Sequence, residues 1–367
     1  MKISCNRRLQ FEGSNAERRF RTFLTGLVFL GLPALPPTIS PALLAQTANS
    51  NAWSVVIVLP PKLVAGHPAT LAVFGVDGRL ASGVAVELGK DQRVTTDATG
   101  RAEFTVAHDI GGVLIAKASG SSAAALVDQA GRAEAAAKIS APPFVSIKDR
   151  FAICGGTFRG DADANHVRIN GDAALVLAAS PECLVVLPGP RLMPGAAQIL
   201  VESAGEKMSA ATTLISLLYE PPQPPLAPEK KSRLAVAVQG TEQPLELTLE
   251  NQSPGVLRFL RGDAQELRSS GGAQNSASIE VTAIRSGDFS FRSRLEPAPD
   301  LAAAARYLEA AAPLAPKDLQ HRLKNCAERL AKHPNDDATI RREVEKIATQ
   351  TIEGDLRTLL KAAGDSL

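Results

Sequence analysis

Aromatic side chains are the scarcest feature of this sequence: they make up 4% of its 367 residues, with one tryptophan (Trp53) and two tyrosines (Tyr219, Tyr307). Sugars and single-stranded bases are usually held by stacking on such rings, so the shortage counts against a carbohydrate-binding module or a base-stacking groove. Charge of one sign is also missing. The formal net charge is +2, residues 1–45 account for +4 of it, and the remainder of the chain is left at −2. A near-neutral body without a basic stripe carries no electrostatic footprint for nucleic acid, so no nucleic-acid partner is expected. Cysteine is sparse: Cys5 lies near the start, and Cys154, Cys183 and Cys326 remain, an odd number that allows at most one internal pair and one spare thiol.

Catalytic signatures are absent as well. There is no G-x-S-x-G, Walker loop, H-E-x-x-H or C-x-x-C, and no G-x-G-x-x-G following a strand. The five histidines (His67, His108, His166, His321, His333) are scattered without metal-ligand spacing. The expectation is a non-catalytic protein with no catalytic residues, cofactor or cofactor-binding residues.

The apolar fraction of 45% supports real cores, and the length suits two to four domains. Residues 1–45 form an export signal. Arg18, Arg19 and Arg21 lead into the apolar stretch Phe23–Leu35, followed by Pro36, Pro37 and the small-residue exit Ala42-Leu43-Leu44-Ala45-Gln46. The run falls short of the roughly 18 apolar residues that span a bilayer and is broken by prolines, which reads as a signal cleaved near Ala45. The alternative is an uncleaved anchor, the one case in which the membrane would be a partner. Either way the chain is expected to be exported to periplasm, cell surface or medium.

Residues 52–128 show short alternating runs separated by turns, the pattern of a β-sandwich. Thr96-Asp97-Ala98-Thr99-Gly100 is a turn in which Asp97 bonds its own backbone and Gly100 takes positive φ. Gly78-Arg79-Leu80-Ala81-Ser82-Gly83-Val84-Ala85-Val86, followed by Thr96-Asp97-Ala98-Thr99-Gly100-Arg101-Ala102-Glu103-Phe104, resembles the bacterial Ig-like repeats of invasin-type adhesins. That resemblance implies a spacer or presentation module. After a linker at 129–141, residues 142–219 carry a second set of strands. Here Gly155-Gly156-Thr157-Phe158, with Pro190 to Gly195 further on, resembles the IPT/TIG branch of the Ig-like fold. In such a sandwich the strands holding Cys154 and Cys183 would be neighbours if they are the second and fifth, making a disulfide geometrically reasonable. The alternative is two buried free thiols.

The Pro-rich stretch 220–230 reads as a semi-rigid spacer marking a domain boundary, with a third small sandwich over 231–297. From Asp300 the period becomes helical. Leu319, Leu323, Cys326 and Leu330 share one face, and Ile340, Val344, Ile347, Ile352, Leu356, Leu359 and Leu360 share another. Residues 300–365 are thus expected to form three helices, a hairpin or small bundle docked on the third sandwich. The fold class is mainly β: tandem Ig-like sandwiches with a C-terminal α-helical segment.

Two motifs offer chemistry. Asp161, Asp163 and Asn165 alternate like calcium ligands, with Asp172 at the twelfth position, but His166 stands where the loop needs Gly and Asp172 is short for a bidentate ligand. A polar loop of Asx turns is the competing reading. Arg159-Gly160-Asp161 and Arg261-Gly262-Asp263 spell the integrin tripeptide, which recurs by coincidence in turns. The function expected is binding or surface structure of the adhesion or presentation type, toward a protein or cell-envelope component. The alternative is a periplasmic assembly or scaffold factor whose C-terminal helices dock on a protein partner.

Overall fold

The structure, a computed structural model, describes residues 55–75, 77–129, 138–220, 229–251, 253–260, 262, 264–285, 287, 289, 291–295, 299–332, 337–351 and 354–367. The leader, most of the 129–141 and 220–230 segments, and Arg261 and Asp263 lie outside the described residues. The protein is mainly β, with three sandwiches followed by helices.

The first sandwich contains β1 (Val56–Val58), β2 (Lys62–Val64), β3 (Pro68–Phe74), β4 (Ala85–Leu88), β5 (Gln92–Thr95), β6 (Arg101–Thr105), β7 (Gly112–Ala118) and β8 (Ser121–Asp128). One sheet joins β1, β3 and β6; the other runs β2-β8-β7-β4-β5. Between them Leu63, Leu71, Val73, Val86, Leu88, Leu114 and Ala116 are almost completely buried, as the alternating runs require. The turn before β6 is built as its residues dictate: Asp97 Oδ1 accepts from the amides of Thr99 and Arg101, and Gly100 sits at φ +73°.

The second sandwich follows with β9 (Phe144–Ser146), β10 (Phe151–Cys154), β11 (Asn165–Ile169), β12 (Asp172–Ala179), β13 (Cys183–Leu187), β14 (Gly195–Ser203) and β15 (Glu206–Glu220). β12 pairs with β11 through Asp172–Ala174 and with β13 from Leu175 onward, and a bulge between Val176 and Ala178 interrupts the second ladder. The third contains β16 (Lys231–Gln239), β17 (Glu246–Asn251), β18 (Leu257–Phe259), β19 (Ala264–Arg268), β20 (Ser276–Ala283) and β21 (Phe291–Leu295).

The boundary between these two sandwiches differs from the sequence expectation. β15 does not stop at the Pro-rich stretch. Its first part pairs with β14, while Ser216–Glu220 pairs with β16, and Ile215 and Leu217 are buried in the third core. One strand therefore belongs to both sandwiches. The Pro-rich segment joins two neighbouring strands of the third sandwich rather than separating domains. Proline composition signals a stretch without ladder bonds, not which side of it the core lies on.

The helical segment has α1 (Leu301–Ala311), α2 (Lys317–Lys332), α3 (Asp337–Gln350) and α4 (Asp355–Asp365), four helices among the described residues rather than three. Asp300 caps α1 by accepting from the Ala303 amide, and Gly354, at φ +138°, separates α3 from α4. Leu323, Cys326, Leu330, Ile340, Val344, Ile347, Leu359 and Leu360 form one buried cluster.

That cluster packs on the first sandwich, not the third. Leu126 is part of it, and Val113, Ile115 and Ala124 lie against it. Along β7 and β8 the inward positions (Leu114, Ala116, Ala125, Val127) are apolar, as a sandwich demands. The outward positions Val113, Ile115, Ala124 and Leu126 are apolar too, so this sheet must be covered on both faces. On the third sandwich the outward residues of β16 and β20 include Lys231, Arg233, Ser276, Ser278 and Glu280, all exposed, which offer no apolar seat. Polar contacts fix the docked position: Arg306 pairs with Asp128 at 2.8 Å and donates to the Val127 carbonyl, and the Ser122 and Thr358 hydroxyls are 2.6 Å apart. Lys117 pairs with Asp355 at 2.5 Å.

Shortening Leu126 to alanine removes the side chain that joins the first sandwich to the bundle. The expected cost is about 2–5 kcal/mol in urea unfolding. A loss of under about 1 kcal/mol would show that the helices are not seated there.

Candidate functional site

The sequence-predicted ion loop sits at the joint between the first and second sandwiches. Asp161 Oδ1 accepts from the Asp163 amide and starts a short 3-10 turn. Asp163 pairs with Arg101 of β6 at 2.7 Å, and Arg101 also donates to the Val176 carbonyl. Asn165 Oδ1 accepts from Ser203 Oγ at 2.6 Å and from the Arg159 amide, while its Nδ2 donates to the carbonyls of Arg159 and Asp161. Asp172 faces Arg191 at 3.2 Å. The four side chains are spent on separate tasks, and among the described residues no group of three or more His, Cys, Asp or Glu is placed to hold a metal. The loop acts as a clamp.

Its contacts with β3 are close. Thr70 Oγ1 donates to the Gly160 carbonyl at 2.6 Å and accepts from the Ala162 amide, and Thr70 pairs with Ala179 of β12. Ser180 Oγ donates to the Lys62 carbonyl at 2.6 Å. Val58, Ala72, Leu177, Ala178 and Val185 form a small shared core. Gly160, the centre of the first Arg-Gly-Asp triplet, is buried, and a Cβ there would fall 2.0 Å from the Pro68 carbonyl oxygen. The triplet is therefore a packing device at this joint and is not displayed at a hairpin tip.

Cys154 and Cys183 stand opposite each other on β10 and β13, the second and fifth strands of their sandwich, with Sγ atoms 2.04 Å apart. Cys326 is buried in the helical bundle. Burial first, and then the Glu343 carboxylate, push its thiol up to about 11, which removes it from the reactive class.

The feature that sequence reasoning missed is a cleft of about 1460 Å³ that all four parts of the chain surround. Val55, Val56 and Ile57 and the β7–β8 turn line it from the first sandwich. Residues 142–152 contribute from the second, Glu250 and Leu295 from the third, and Gly354, Arg357, Lys361 and Asp365 from α4. Folding back of the helices creates it. No sequence motif marks it, because its parts lie in four modules; the one available signal was the continuous apolar run of β7, which implies a cover on the outer face. Nucleophile–base pairs are not what lines it; exposed charges of both signs, serines and strand edges are.

No family model matches this sequence, and no curated protein matches it. Among solved structures, the SGBP-B protein of the Bacteroides ovatus mixed-linkage glucan utilization locus, in complex with a mixed-linkage heptasaccharide, is 13% identical. That alignment covers 64% of this chain and 72% of that one, with a TM-score of 0.23. The plexin A4 extracellular region is 12% identical over 71% of this chain and 24% of that one, TM-score 0.25. The surface layer protein SbsC, domains 1–6, is 13% identical over 66% and 38%, TM-score 0.16. At these scores the likeness assigns nothing to this chain. No helix among the described residues is long and apolar enough to cross a membrane.

Glu182 is half-buried where the two sandwiches and α1 meet. Burial raises its carboxyl above the ordinary range and the Asp128 carboxylate adds to this, while Lys62 and Arg306 oppose it. A carboxyl with a raised folded-state pKa adds stability that is complete below the ordinary glutamate range and is lost as pH rises through the folded-state value. Glu182→Gln is therefore expected to flatten the fall in urea midpoint between about pH 4 and pH 7, and to be more stable than the parent at the upper end. Parallel pH profiles would overturn this. Gly160→Ala is expected to cost at least about 2 kcal/mol by forcing the clamp from Pro68. An unchanged unfolding midpoint would show that the joint yields freely.

Proposed function

We propose that this chain is an exported, non-catalytic modular protein that captures a protein or cell-envelope component in the four-sided cleft. The cleft itself carries the reading: its walls come from every module, so it exists only in the assembled chain. The clamp between the first two sandwiches and the strand shared by the second and third give it stiff walls. A binding surface on a rigid scaffold avoids much of the ordering cost of association.

Adhesion or presentation through sandwich edges is the first form of this reading, in line with the resemblance to Ig-like surface modules. A periplasmic assembly factor is the second, and one observation favours it: α4 forms a wall of the cleft and sets Arg357 and Lys361 there, both exposed.

The test begins with native cells, fractionated, and the intact mass measured without reduction. A chain starting near Gln46, outside the cytoplasm and two hydrogens lighter than its reduced mass, is expected; a cytoplasmic chain with its leader attached overturns the reading. Co-sedimentation of the full mature chain with isolated envelopes then separates the two forms. Retention that falls several-fold in Arg357→Glu/Lys361→Glu supports capture through α4, and unchanged retention supports the sandwich edges. No retention in either chain overturns envelope capture.

A further inference from the structure

Two strand edges open onto the cleft with their backbone groups unspent. Along β3, Val73 gives its amide to Gly100 and its carbonyl to the Ala81 amide. Bonding alternates along an antiparallel pair, so Val56 and Val58 are the β1 residues bonded to β3. The Ile57 N–H and C=O then point away from β3, toward the cleft that Ile57 lines. On β10, Cys154 exchanges both of its bonds with Ser140, so Ala152, two residues back, directs its N–H and C=O to the same side, beyond the reach of Ser140. Ala152 also lines the cleft. Neither residue has a backbone partner on that side among the described residues. Strand edges with unpaired backbone groups of this kind are templates for an added strand.

Charge selects among strands. Lys117 is occupied by Asp355. Arg93 on β5 and Arg357 and Lys361 on α4 line the cleft as exposed cations with no ion-pair partner among the described residues. Glu87, in register with Arg93 on β4, is the carboxylate of the lining in the same condition. Over the whole lining Arg93, Lys117, Arg150, Arg357 and Lys361 stand against Glu87, Asp149, Glu250 and Asp365, one cation more than carboxylates, and the exposed Arg357 and Lys361 stand one helical turn apart on a single face.

We infer that the cleft takes an extended acidic polypeptide segment. Its backbone adds to the free edge of β1 or β10, and its carboxylates meet Arg93, Arg357 and Lys361. This rests on the binding reading given above and narrows it to one ligand class. Backbone bonding supplies strand geometry without regard to sequence, and the cations reject basic strands.

The test uses the full mature chain and a fluorescein-labelled synthetic peptide of alternating Val and Glu, read by anisotropy at low salt. The Val/Glu peptide is expected to bind, and Arg357→Glu with Lys361→Glu to weaken it at least about tenfold. Both substituted residues are exposed, and an unchanged urea midpoint verifies that the fold is intact. Replacing Glu by Lys in the peptide, or N-methylating the amides on one edge, is expected to abolish binding. Equal binding of the N-methylated peptide overturns strand addition, and equal binding by the charge-reversed chain overturns the role of the cations. Binding to phosphatidylglycerol vesicles in place of the peptide replaces this inference with a membrane surface. If the peptide fails while envelope retention still depends on Arg357 and Lys361, the capture reading stands and this inference falls.

Discussion

Everything about the arrangement of this molecule follows from one uncovered sheet. The outward positions of β7 and β8 in the first sandwich present Val113, Ile115, Ala124 and Leu126, an apolar surface that water disfavours at about 25 cal/mol per Å². Residues more than 170 positions further along the chain cover it: Ala304, Tyr307 and Leu308 of α1 and Leu359 and Leu360 of α4. Tyr307 is buried deeply enough that its phenol is pushed far above the ordinary range, even though it hydrogen-bonds the Leu126 backbone. Because the helices must reach the first sandwich, the chain turns back past the second and third. A cleft walled by all four parts of the chain is the geometrical result.

The joints keep that shape fixed. Thr70 and Arg101 of the first sandwich are bonded to the backbone of the second at Gly160, Ala162 and Val176. β15 leaves no flexible peptide between the second core and the third, since Leu214 is buried in one and Ile215 in the next. Interdomain contacts this tight resemble the inside of a domain more than a string of beads, and the three sandwiches with their helical cover are better regarded as one body.

How much of this the amino-acid sequence reveals depends on the range of the interaction. Local devices were readable: the Asp97 turn with Gly100, the change to a helical period at Asp300, the alternation that set strands in all three sandwiches, and the apolar helix faces through Leu323 and Leu360. Each rests on residues within a few positions of one another. The clamp was not legible: Asp161, Asp163 and Asn165 offered a polar loop or an ion loop, while the partners that make it a joint, Arg101, Thr70 and Ser203, are distant in sequence. The seat of the helices was missed for a related reason. An amphipathic face announces that it will be buried but not against what, and the answer lay in the run Val113-Leu114-Ile115-Ala116, whose lack of alternation marks a strand covered on both faces. The cleft was beyond reach, being assembled from the boundaries of four separate readings.

The passage of β15 through two sandwiches has a consequence for how the chain tolerates change. In a modular protein with a proline tether, lengthening or shortening the tether alters the spacing between domains. Here the spacing is set by an unbroken ladder of backbone bonds, and the Pro-rich stretch joins two strands that are neighbours in one sheet. Insertions into it would leave the reach and geometry of the molecule untouched. A single residue added within Ile215–Glu220 would instead turn every following side chain of that strand to the opposite face and set the second and third cores in conflict.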